Sequence, residues 1–141
     1  MYLDFKDLKF KKHSIAIESE QIVEQYGEEH PFAQIAKLNL NAVASFTAFP
    51  NNYALSVIRS DFSHGGKEGL YEAALVKLRI TKRGKEKGVL DLEHPLMGGD
   101  PVGYLSEQGV TELLNNISAL KSWTVRKGAK LKRKRFGIKR K

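Results

Sequence analysis

From Lys121 onward the chain carries eleven Lys or Arg residues and no Asp or Glu, about +11 in 21 residues. Like charges at that density repel, and such a segment has too little apolar surface to build a core. Whatever folds is therefore to be sought in residues 1–120, with 121–141 as a basic tail. The body keeps the other thirteen bases and all sixteen acids, a net charge of −3, so the overall +8 averages two unlike parts. About 120 residues suffice for one domain with a single core.

Apolar periodicity in the body points to an α+β fold. Lys9 to Ile17 alternates weakly, with Ile15 and Ile17 on one side, and reads as a short strand or ordered arm. Ser19 is placed to cap a helix carrying Ile22, Val23 and Tyr26, and Pro31 to open a second short helix with Phe32, Ile35 and Ala36. Leu38, Leu40, Ala42, Ala44, Phe46 and Ala48 then recur at every second position, which predicts a strand from Leu38 to Ala48. Pro50-Asn51-Asn52 is a turn sequence, because Pro fixes one dihedral and Asn accepts positive φ. Tyr53 to Arg59 forms the returning strand.

Leu70 to Ile80 is apolar on both sides and belongs in the middle of a sheet. Thr81 to Gly88 is a charged turn, and Val89 to Leu92 an edge strand or a return. Pro95, Gly98, Gly99 and Pro101 punctuate the next connection. Ser106 is a natural N-cap for a final helix with Val110, Leu113, Leu114, Ile117 and Leu120 on one side. Its apolar stripe needs a partner surface. The expected architecture is an antiparallel sheet of about four strands with this amphipathic helix on one face, preceded by short N-terminal helices.

Between the second and third strands lies Ser60-Asp61-Phe62-Ser63-His64-Gly65-Gly66-Lys67-Glu68-Gly69, running into Leu70-Tyr71-Glu72-Ala73-Ala74. Together with Asp100-Pro101-Val102-Gly103-Tyr104-Leu105-Ser106-Glu107-Gln108-Gly109-Val110, this segment resembles small proteins carried by bacteriophages and prophages. The resemblance spans roughly Tyr53 to Leu120. It implies a phage or mobile-element origin and a bacterial cytoplasm. That family has no assigned activity, so no catalytic residue is carried over, and the basic tail lies outside the resemblance.

Several classes of chemistry lack their residues. There is no cysteine, which removes disulfides, thiolate metal sites and a cysteine nucleophile. Met1 to Asp7 contains acids early and is not expected to be a signal peptide, and no stretch approaches the ~20 apolar residues of a membrane span. His13, His30, His64 and His94 show no metal-ligand spacing. Asp61, His64, Glu68 and Glu72 are the nearest approach to an acid–base cluster, but their spacing does not require convergence. Ser63, His64 and Asp61 lie too close in sequence for a triad. No cofactor or metal is implied, and the chain is not expected to be an enzyme.

The loop residues His64, Gly65, Gly66 and Lys67 are a candidate anion site. The spacing is not that of a P-loop, and glycines that simply turn the chain account for it at least as well. The tail carries the stronger signal. Arg126, Lys127, Lys130, Lys132, Arg133, Lys134, Arg135, Lys139, Arg140 and Lys141 would neutralise phosphates, while Trp123 and Phe136 would stack on exposed bases. The expected partner is DNA or RNA, with no membrane involved. A host protein or ribonucleoprotein, inhibited by the chain, is the alternative; a small metal-dependent nuclease using Asp61, Glu68 and Glu72 is a second.

Overall fold

A computed structural model describes residues 3–123. In chain order the elements are β1 (Lys11–Lys12), α1 (Ser14–Tyr26), α2 (Pro31–Ala36), β2 (Val43–Ala48), β3 (Tyr53–Arg59), β4 (Tyr71–Ile80), β5 (Glu86–Leu90), β6 (Val102–Leu105) and α3 (Glu107–Ser118). Short 3-10 turns lie at Phe5–Asp7, Lys37–Asn39 and Gly66–Glu68. The fold is α+β, with one antiparallel sheet and α3 packed against it.

The sheet has six strands, in the order β1-β2-β3-β4-β5, with β6 also on β4. β4 is the longest. One of its edges pairs with β3; the other is shared, β6 taking Tyr71 and Ala73 and β5 taking Val76 to Ile80. The two strands beyond the expected four are short. β1 is a two-residue pairing of Lys11 and Lys12 with Ala44 and Val43, and β6 follows a Gly- and Pro-rich connection that reads locally as loop.

Directly opposed residues share a face. The α3 face carries Tyr53, Leu55 and Val57 of β3 with Tyr71, Ala73 and Leu75 of β4. Val110, Leu113, Leu114 and Ile117 of α3 close over them, joined by Leu3, Phe49 and Met97. Ser106 caps α3 as its sequence suggests, its hydroxyl accepting from Gly109 N at 3.0 Å. On the opposite face Ala48, Ala54, Val76, Leu78 and Ile80 form a second, smaller buried cluster.

Four local expectations change. The charged turn expected over Thr81 to Gly88 ends at Lys85, since Glu86 to Gly88 already pair with Ile80 to Leu78 in β5. The strand from Leu38 starts only at Val43, because Lys37–Asn39 closes a 3-10 turn and Ala42 N donates back to Asn39 O. Ile15 and Ile17 belong to α1 rather than to a strand, since His13, not Ser19, is the N-cap: its Nδ1 accepts from Ile15 N at 3.1 Å. In β2 it is the polar side, Ser45 and Thr47, that sits on the α3 face opposite Val57 and Leu55 and is buried, while Phe46 on the other face is part-exposed.

Asn51 joins the β2–β3 turn to the end of α3. Its amide donates to Ile117 O at 2.7 Å and Leu120 O at 3.1 Å, and its Oδ1 accepts from Tyr53 N at 3.2 Å. These bonds tie the end of α3 to the turn. Asn51→Ala removes all three, although Ile117 O keeps its bond from Leu120 N at 3.0 Å, and is expected to lower stability by about 2 kcal/mol, read by chemical denaturation.

Candidate nucleic-acid interface

Arg126, Lys127, Lys130, Lys132, Arg133, Lys134, Arg135, Phe136, Lys139, Arg140 and Lys141 lie outside the described residues. Trp123 is described, and it is held against the body. Its Nε1 donates to Asn52 O at 2.6 Å, and Asn52 Nδ2 donates to Trp123 O at 3.2 Å. Lys77 Nζ sits 5.5 Å from the ring centroid, a cation–π contact. Asn52 itself has φ of 68°, the left-handed value expected of a turn Asn. The β2–β3 turn therefore fixes the chain at Trp123, and Lys77 lies over the ring that stacking would use.

The candidate anion loop is folded on itself. The amides of Ser63, Gly66, Glu68, Gly69 and Leu70 donate to carbonyls at Ser60, Ser63, Gly65, Gly66 and Gly65. The His64 amide donates to Glu72 Oε1 at 2.9 Å, and His64 Nδ1 lies 3.0 Å from the same oxygen. The anion this loop holds is thus one of the protein's own carboxylates. Lys67 takes part in the 3-10 turn.

Glycine is required here for two reasons. Gly65 adopts φ of 88°, and a Cβ on Gly66 would fall 1.7 Å from Ser60 O. The Ser63 hydroxyl also donates to Ser60 O, at 2.9 Å, which commits it to the turn rather than to His64. β6 packs on the loop from outside: a Cβ on Gly103 would meet His64 Cβ at 2.4 Å, and Tyr104 N donates to His64 O. Gly66→Ala forces the loop off Ser60 and is expected to cost about 1–3 kcal/mol, visible as a lowered melting temperature.

Of the acid–base candidates, the fold brings together only His64 and Glu72. Among the described residues no three His, Cys, Asp or Glu side chains converge as metal ligands would. No helix of the described residues is long and apolar enough to cross a membrane.

Two surface features were not evident in the sequence. One is a cleft of about 630 Å³ beside the outer edge of β2, lined on one side by Lys9, Lys11, Lys12 and His13. The other is a group of exposed apolar residues on the N-terminal helices. It includes Phe32 and Ile35, which are 57% and 63% exposed and line one groove with Ile15 and Tyr26. The lysines carry no ligand pattern of their own, and only the pairing of β1 with β2 shows that they border a groove. Comparison with protein-family models, curated proteins and solved structures gave no match.

Proposed function

We propose that the protein is a phage or mobile-element accessory protein that binds nucleic acid through its basic C-terminal segment, in the cytoplasm of a bacterial host. The observation that carries this reading is the separation of charge: eleven bases and no acids after residue 120, on a body of net charge −3. Phosphate neutralisation with release of condensed counterions is the binding chemistry available to such a segment. Trp123, fixed to the β2–β3 turn, gives the segment a defined point of departure from the fold. Without a base-reading motif, its contacts go mainly to the backbone of the nucleic acid and position it rather than select a sequence. Titration of single- and double-stranded DNA and RNA across a salt series tests the reading.

The exposed apolar group on α1 and α2 favours a second reading, in which the body docks on a host protein and inhibits it. Large exposed apolar residues grouped in this way mark interaction surfaces more often than isolated ones do. Phe32→Ser with Ile35→Ser is expected to abolish capture of a stoichiometric protein partner from nuclease-treated host lysate. Capture unchanged by the double substitution rules out this face.

A further inference from the structure

We infer that the body carries a second nucleic-acid contact of its own, in the cleft along β2, which takes the phosphodiester backbone of a single strand. The inference rests on the nucleic-acid reading above and extends it from the basic segment to the folded domain.

The cleft exists because β1 is so short. Lys11 and Lys12 pair with Ala44 and Val43, and the antiparallel register would set Phe10 and Lys9 against Ser45 and Phe46. That pairing is not made. Phe10 packs among aromatic side chains, its ring 5.5 Å from Tyr71 and 5.6 Å from Phe5. The chain before Lys11 thus leaves the sheet, and the outer edge of β2 beyond Ala44 opens into the groove between them.

One side of the groove is basic. Lys9, Lys11, Lys12 and His13 line it there, with Ala44, Phe46 and the nearly buried Ser45 and Thr47 on the β2 side. Lys12 is ion-paired with Glu20, so its charge is partly neutralised. Lys9 and Lys11 make no ion pair among the described residues and stay exposed. Lys9 and Lys11 stand two residues apart on the same groove, where both ammonium groups can meet phosphates of one strand. His13 Nδ1 accepts the Ile15 amide, so the ring proton resides on Nε2, where it is a donor.

An acidic peptide added to the open β2 edge is the competing occupant. The nucleic-acid reading of the basic segment is what selects phosphate over carboxylate here, and the probes below separate the two.

The test uses the full chain and three probes: a fluorescent dT20 strand, the matching duplex, and a polyglutamate peptide of equal charge. Three variants are compared with wild type. They are Lys9→Gln/Lys11→Gln, the tail variant Lys130→Gln/Lys132→Gln/Arg133→Gln/Lys134→Gln/Arg135→Gln, and the two combined. Because Lys9 and Lys11 are exposed, the cleft variant should melt with wild type. Loss of two single-strand phosphate contacts flattens the salt slope by about 1.4 and weakens dT20 binding roughly 25-fold at 0.1 M salt, with the duplex much less affected.

If the cleft variant matches wild type on dT20 while the tail variant loses binding, the cleft assignment is wrong and the tail reading stands. If the cleft variant loses binding and the tail variant does not, the tail reading fails and the cleft stands. Polyglutamate bound as well as dT20, and lost in the cleft variant, overturns the nucleic-acid assignment in favour of an acidic peptide.

Discussion

Replacing Lys130, Lys132, Arg133, Lys134 and Arg135 together by Gln is expected to abolish most of the protein's affinity for nucleic acid. If the native chain contacts six to ten phosphates, its affinity falls about 10³- to 10⁵-fold between 50 and 200 mM salt. Removing five contacts takes about 4.5 from the slope of the salt plot on duplex and about 3.5 on a single strand. Fluorescence anisotropy at four or five salt concentrations gives both slopes. An unchanged slope would mean that the basic segment meets no phosphates, and the protein-partner reading would then lead. Substitution is better than truncation here. Ending the chain at Leu120 would also remove Trp123, whose bonds to Asn52 belong to the fold.

The second large effect is on stability. Phe49 stands just before the β2–β3 turn, is fully buried, and fills the space between α3 and the sheet. Phe49→Ala removes its transfer free energy and leaves a cavity, which together cost about 3–5 kcal/mol. That is a large part of the ~5–15 kcal/mol that holds a domain folded. The melting temperature should fall by roughly 10–25 °C. Ile35→Ala, at a site 63% exposed, is the matched control and should change stability by less than about 0.5 kcal/mol. A Phe49→Ala protein that melts with wild type would show that the packing of α3 on the sheet is not as described.

Much of the fold was legible because its strongest elements carry their own periodicity. Val110, Leu113, Leu114 and Ile117 fall at helical spacing behind an N-cap serine, and all four are buried in α3. β4 is apolar on alternate residues of both faces and lies inside the sheet. β1 and β6 were not legible because two to four residues are too few to show a period, and their pairing is decided by the strand beside them. Ile15 and Ile17 misled for a related reason. Two apolar residues at spacing two suit a strand, but the cap at His13 and the following turns of α1 override them.

The candidate site divides in the same way. Charge is additive along a chain, so the basic segment could be found by counting. The cleft beside β2 could not, since it depends on where Phe10 turns and on a register that stops after Ala44. The glycine loop gave a half-legible signal: its glycines do mark close approach and positive φ. What they approach is Ser60, and the carboxylate they help to hold is that of Glu72.

The way the ends of the described chain are fastened has a mechanical consequence. Leu3 is bonded to Asn115 of α3 in both directions, at 2.8 and 2.7 Å. Trp123 is bonded to the turn at Asn52, whose neighbour Asn51 holds the carbonyls at the end of the same helix. Tension applied between the two ends runs through α3 and this turn. Under load the side-chain bonds of Asn115, Asn51 and Asn52 should open before the backbone ladders of the sheet.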